Sequence, residues 1–265
     1  MAKIKLNFPI TNSLGDHSMY KMHGVEKTIL RGKGGPNRRQ VRLYPQLEKM
    51  RNNGSEFSGA SKMAGSIRRA LYAVNHLADF NCSTSLTAIA LGLRNYDVTS
   101  LHGQRRFLLS QYASMLQGFN LNKEIPFDKM VMASPAYKIF RDAYRAELSF
   151  CELFQESNLM NPKGLGYYNI IASLAIATDM VWTKNGYVPK NNDISFHPVQ
   201  ESTGWISTQQ GLPPTTFNLQ LPANNIIDET CTLILALGID FGYATGNGEV
   251  QSVKYAGSAK ILAVG

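Results

Sequence analysis

Residues 231–245, CTLILALGIDFGYAT, put Cys231, Leu233, Leu235, Leu237, Ile239, Phe241 and Tyr243 on alternate positions. A period of two is that of a β-strand, whose successive side chains point to opposite faces. TGNGEV follows at 245–250, where Asn247 and Gly248 are the residues that tolerate the positive φ of a tight hairpin turn. The predicted partner strand runs through VQSVKYAGSAKILAV (250–264), with Gly257 as a candidate bulge. Working outward, Tyr168, Ile170, Ala172, Leu174, Ile176, Met180 and Trp182 share even positions, and Ala146, Leu148 and Phe150 alternate with charged or small residues. Several strands at such spacing, separated by Pro and Gly loops, predict a β-sandwich or barrel over 120–265, with the antiparallel sandwich as the expectation.

Upstream of QGFNLN (117–122) the period is 3.6. Asn53, three residues before Glu56, predicts a capping box. Phe57, Ala60, Ala64, Ile67, Leu71, Val74 and Ala78 then form the apolar stripe of a helix of about six turns. Lys62, Arg69 and His76 fall opposite that stripe, as a basic ridge. Leu86, Ile89, Ala90 and Leu93, behind a cap at Ser83 or Ser85, predict a second helix. Leu101, Leu108, Tyr112, Met115 and Phe119, stopped near Gly118, predict a third. Together these make a helical module over 54–119.

The first 53 residues read as a basic β-arm. Lys3 to Phe8 alternates, and SMYKMHGVEKTIL (18–30) predicts two short strands around a turn at His23 and Gly24. RGKGGPNRRQVR (31–42) then packs five positive charges and three glycines into twelve positions, where Pro36 and Pro45 discourage helix. From Lys27 to Leu47 there are six basic residues and no acid. The chain of 265 residues carries a formal net charge of +8, unevenly spread: residues 1–72 hold 14 Lys/Arg against 4 Asp/Glu, residues 151–265 hold 5 against 9. A basic front and a mildly acidic back predict an anionic partner for the front, and the back of another copy qualifies. Lys27, Arg31, Lys33, Arg38, Arg39 and Arg42, with Lys62 and Arg69 from the helix ridge, are the candidate partner-binding residues.

No catalytic, cofactor-binding or metal-binding residue is predicted. RGKGGP lacks the spacing and the following helix of a phosphate-binding loop, and the glycines of GYATGNGEV (242–250) do not follow GxGxxG. His17, His23, His76, His102 and His197 are scattered, and Cys82, Cys151 and Cys231 form no CxxC pair. Asp228 with Glu229, and Glu152 with Glu156, have no neighbouring nucleophile signature and read as solvent-facing carboxylates. The first residues, MAKIKLNFPITNSLGD, lack the uninterrupted apolar run of a secretory leader, and no apolar run is long enough for a membrane span. Synthesis and folding in the cytoplasm are expected, with release by lysis as the exit of any assembled particle.

RGKGG (31–35) followed by YPQLEKMRNNGSEFSGASKMAGSIRRAL (44–71) resembles an uncharacterised family of Bacteroidota and mobile-element proteins. The matching positions are Pro45, Arg51, Asn53, Glu56 and Phe57, and GFNLN (118–122) and LGIDF (237–241) are similar to the family pattern as well. The resemblance implies a phage-like or element-encoded structural protein and assigns no site residue.

The expectation is therefore an α+β chain: basic β-arm (1–53), small helical module (54–119) and C-terminal antiparallel β-sandwich (120–265). Its expected function is that of a non-enzymatic subunit that self-assembles into a tube, filament or virion-like particle, the arm contacting neighbouring subunits. The alternative is a nucleic-acid-binding protein using the same arm and the helix ridge. Six phosphate contacts on a duplex would give a slope of log K against log salt of about −5.

Overall fold

The computed structural model describes residues 2–4, 13–22, 24–79, 81–155, 157–191, 197–222 and 228–265. Phe8 of the expected first strand, His23 of the expected turn, and Glu156 lie outside them. The chain divides into two compact units, Met1–Arg51 and Asn52–Gly265.

In the first unit, β1 (Ala2–Ile4), β2 (Ser13–Leu14), β3 (His17–Tyr20) and β4 (Thr28–Gly32) form an antiparallel sheet in the order β1-β4-β3-β2. The expected hairpin is there, with Tyr20 opposite Ile29 and Ser18 opposite Arg31. The expectation that Pro36 and Pro45 keep the basic segment free of helix is corrected by α1 (Arg38–Leu43), which fits between them. Asn37 is its N-cap. The Asn37 side chain accepts from the Gln40 N–H at 2.9 Å and the Gln40 side chain accepts from the Asn37 N–H at 2.7 Å, a closed capping box.

A 3₁₀ turn at Pro45–Leu47 precedes α2 (Glu48–Ala70). The helix starts five residues before the expected cap, so Asn53 and Glu56 lie within it and make no capping box. Ala60, Ala64 and Ile67 are buried as expected, whereas Phe57 is 56% exposed. Beyond Ala70 the chain tightens into a 3₁₀ helix, Tyr72–Leu77, in place of the predicted continuous α-helix. Val74 and Leu77, three apart, then face one way and pack on Gly238, where a Cβ would lie 2.6 Å from Leu77 Cδ1. The second helix is α3 (Cys82–Leu93), with Asn81 rather than a serine at its N-cap position. The third predicted helix does not form. Residues 97–126 are irregular apart from a 3₁₀ turn at Ala113–Leu116, and Leu101 is 72% exposed. Gly103 at φ 93° and the bridge between Phe107 and Met180 hold this stretch in a non-helical path.

A one-turn helix, α4 (Phe127–Met130), leads into β5 (Ala136–Phe140), β6 (Arg145–Phe150), β7 (Tyr167–Thr178), β8 (Met180–Thr183), β9 (Gly186–Pro189), β10 (Val199–Ser202), β11 (Ile206–Ser207), β12 (Thr215–Gln220), β13 (Cys231–Ala244), β14 (Val250–Ser252) and β15 (Ser258–Val264). A six-stranded sheet has the order β10-β7-β13-β14, with β11 also on β7 and β15 also on β13. It faces a three-stranded sheet, β12-β6-β5. Both are antiparallel throughout, and they enclose one core: Tyr168, Ile170, Leu174 and Ile176 from β7, Leu233 to Phe241 at odd positions from β13, Leu148 and Phe150 from β6, Phe217 and Leu219 from β12. This is the α+β fold with a C-terminal β-sandwich.

The other face of the six-stranded sheet is covered by helices. Met63 and Ile67 of α2 and Leu86, Ala90 and Leu93 of α3 share a second core with Ile171, Ala175, Ala177, Ile234 and Ala236. Helical and β segments therefore belong to one packed unit. The central strands β7 and β13 are buried on both faces, carrying large side chains toward the sandwich and mostly small ones toward the helices, which lets the helix backbones approach closely. The edge strand β5 follows Pro135 and carries the exposed Lys138, two features that discourage further strand pairing.

The turn after β13 is closed by Thr245 N–H to Glu249 O at 2.7 Å and Gly248 N–H to Thr245 O at 3.0 Å. Only Gly248, at φ 81°, takes the positive φ there; Asn247 does not. Gly257 forms no bulge: it lies in the connection between β14 and β15, and the register shift of the β13–β15 pair falls at Leu235 and Ala236 instead. What requires glycine there is contact, since a Cβ would overlap the Ile239 carbonyl oxygen. Gly257→Ala is expected to cost about 1–3 kcal/mol by overpacking. Gly246→Ala, with open space around its Cα, should stay within about 0.5 kcal/mol. Urea denaturation of the two variants checks the difference.

Candidate functional site

Residues 1–51 hold 11 Lys/Arg against 3 Asp/Glu, and residues 52–265 hold 16 against 16, so the formal charge of +8 belongs wholly to the first unit. Its chain path concentrates that charge. After β4, Lys33 is tied down: its N–H donates to Asp16 O and its Nζ donates to Gly15 O at 2.8 Å. Gly35 then turns the backbone at φ 92°, and the capping box starts α1. Arg51 secures the far end, one guanidinium nitrogen donating to both Val41 O and Tyr44 O at 2.8 Å. Val41 O is a carbonyl the helix end leaves without a partner, since the residue four on is Pro45 and has no N–H, while Tyr44 O also accepts from Leu47 N–H; a short helix unstable alone is thus held at both ends.

What α1 displays is Arg38, Arg39 and Arg42, which with Leu43 line a concavity of about 490 Å³. Positions four apart stack along one helix side, pairing Arg38 with Arg42 and Arg39 with Leu43. Leu43 is 58% exposed and Tyr44 45%. Among the described residues the side chains of Arg31, Arg38, Arg39 and Arg42 make no hydrogen bond and no ion pair, so these cations are free for a partner. Lys27 and Arg31 are exposed, one just before β4 and the other near its end.

Lys62 and Arg69, the other two candidates, lie in the second unit. Lys62 Nζ donates to Tyr187 O at 2.7 Å and so fastens α2 to the β8–β9 hairpin. Arg69 is exposed on α2. His76, expected to extend their ridge, instead meets the buried carboxylate of Asp240 at 3.3 Å. The α-helix ends before it, which breaks the seven-residue spacing.

The strongest electrostatics in the second unit involve residues for which the sequence predicts no partner-binding role. Glu56, fully buried, accepts from Gly103 N–H at 2.9 Å, from Arg105 at 2.6 and 2.7 Å, and from Arg94 at 3.0 Å. Burial would raise its pKa, but the bonds from Arg105 and Gly103 and the charges of both arginines outweigh burial and hold it below the ordinary value. Burial acts on Asp97 in the same sense, and there the bonds from Arg106, Ser100 and Thr99 overcome it and keep the carboxyl far below the usual carboxylate range. A hint was available: Glu56 stands four residues before Ala60, in phase with the buried stripe Ala60, Ala64 and Ile67. The thiols of Cys82 and Cys231 are pushed up to about 11, chiefly by burial, and stay protonated at neutral pH. Among the described residues, no helix is long and apolar enough to cross a membrane.

No protein-family model matches this sequence, and no curated protein matches it.

Proposed function

We propose that this protein is a non-enzymatic structural subunit that assembles with further copies of itself through its basic first unit. The observation that carries this reading is the set of arginines without partners on a helix secured at both ends, in the unit that holds the whole net charge. Because the backbone of α1 is already fixed at both ends, docking of an anionic surface has to order only the arginine side chains and not the segment that carries them. Leu43 and Tyr44 beside the arginines favour a protein partner, because aromatic and arginine side chains are the residues that dominate protein interfaces. Exposed carboxylates of the sandwich, Glu152, Glu201, Glu229 and Glu249, are the counter-charges a neighbouring copy offers.

Negative-stain microscopy of the purified protein at low and high salt, with absorbance at 260 and 280 nm on the same fractions, tests this. Rings, tubes or shells at low salt without nucleic acid absorbance are the expected result. Monomers that carry nucleic acid and release it as salt rises would replace assembly by nucleic acid binding through the same arginines.

A further inference from the structure

A cleft of about 420 Å³ opens on the second unit between Tyr96–Thr99, Ser110–Gln111 and Glu229–Thr230. Its floor is Asp179, 2% exposed, whose carboxylate accepts from Ser110 N–H at 2.8 Å and Ser110 Oγ–H at 2.9 Å. The backbone of the same residue joins two more segments, its N–H donating to Thr230 O and its carbonyl accepting from Lys190 N–H. One wall is the Asp97–Arg106 pair, 3.0 Å apart. The site is thus built from five separate stretches of chain, held together by hydrogen bonds.

At the rim Tyr96 stacks on Tyr112, ring centroids 4.1 Å apart and planes 20° from parallel. Tyr112 covers one side of the Tyr96 ring, and Tyr96 is still 48% exposed, so a rigid aromatic surface borders a polar cavity. The charges inside come close to balance, Arg106 against Asp97 and Lys190 against Asp179 and Glu229. With two cations against three carboxylates, an anion gains no net attraction there, and Asp97 and Asp179 already engage their oxygens with Arg106 and Ser110. Gln111, Lys190 and Glu229 make no side-chain hydrogen bond among the described residues, which leaves donors and acceptors open in the lining of one cleft. The complementary ligand is neutral, carries many hydroxyls, and has an apolar ring face for Tyr96.

We infer that this cleft is a saccharide subsite that holds one pyranose ring against Tyr96, its hydroxyls reaching Gln111, Lys190 and Glu229. The volume lies within the range of about 300–1,000 Å³ usual for small-ligand sites. The inference does not depend on the self-assembly reading: none of these residues lies in the basic unit, and of the carboxylates offered to a neighbouring copy only Glu229 is shared with the cleft.

The test is a titration of the ¹⁵N-labelled full chain with glucose, galactose, mannose, xylose and N-acetylglucosamine, read by amide chemical shifts. At least one sugar is expected to shift the Tyr96, Gln111, Lys190 and Thr230 amides saturably. Tyr96→Ala should weaken that binding about tenfold, the loss of one ring contact, while Tyr96→Phe keeps it. Gln111→Ala, at an exposed position, should also weaken it and serves if Tyr96→Ala does not fold. Absence of saturable shifts at these amides with every sugar, or wild-type binding by both alanine variants, overturns the inference.

Discussion

Glu56→Ala is expected to lower the unfolding free energy by about 3–5 kcal/mol, the usual cost of removing one partner from a buried ion pair. The wild-type carboxylate collects four bonds from Gly103, Arg105 and Arg94. Without it, two partly buried guanidinium groups and a buried N–H lose their acceptor, and a cavity opens beneath α2. For a unit of this size the loss corresponds to a drop in Tm of roughly 10 °C. Glu56→Gln, which keeps the shape and one acceptor, should lie between the two. Chemical denaturation checks the order, and a Glu56→Ala melting point equal to wild type would refute the network's role.

The buried acids set the pH dependence. Glu56 and Asp97 both have folded-state values below their ordinary ones, so their stabilisation is present above the unfolded pKa and is lost as pH falls through the folded values. Stability contributed by these two groups should be level from neutral pH down to about 5 and fall below it, and Glu56→Gln should make that fall shallower. Asp179 has the opposite sign. Burial raises its carboxyl above the ordinary value despite the bonds from Ser110. Its ionised form costs stability at neutral pH, and acidification through the raised value relieves that cost, so it partly offsets the other two.

Replacing Arg31, Arg38, Arg39 and Arg42 together with Ser is expected to abolish assembly while leaving the fold intact. None of the four side chains has a partner within the described chain. Exposed substitutions of this kind change stability by only about 0.5 kcal/mol each, whereas a charge-assisted contact across an interface is worth about 1.5–3 kcal/mol. Lys33 is left in place because its bond to Gly15 belongs to the unit's own structure. The checks are sedimentation velocity and microscopy beside a melting curve. Unchanged particles from a folded variant would remove the basic unit from the assembly contact, and an altered melting curve would show the arginines to be structural.

Much of the architecture was legible because burial repeats along the chain. The alternation in 231–245 and 168–176 marks the two central strands, and the stripe through Ala60, Ala64 and Ile67 marks α2. The misreadings have a common form. Leu101, Leu108, Tyr112 and Met115 fit a helical period, but Gly103, Asp97 and the Phe107–Met180 bridge take that stretch elsewhere. Phe57 fits the stripe that Glu56 occupies. Periodicity reports which positions suit a local element, and a specific long-range bond outweighs it where the two compete.

By itself the sequence determined the fold class, the central strands β7 and β13 with β6 and the β14–β15 stretch, and the basic character of the first unit, all of which follow from residue types and their local spacing; β5 and β12 of the facing sheet are not among the strands so marked. Tertiary structure alone decided that Glu56 is an ion-pair centre, that Lys62 is an anchor, and that Tyr96, Gln111, Asp179, Lys190 and Glu229 line one cleft. Glu56 meets partners 38 and 49 residues away, and Ser110 meets Asp179 across 69. Charge and hydrogen bonding act through space at such separations, and no local pattern in the chain records which distant groups the packing will bring within about 3 Å.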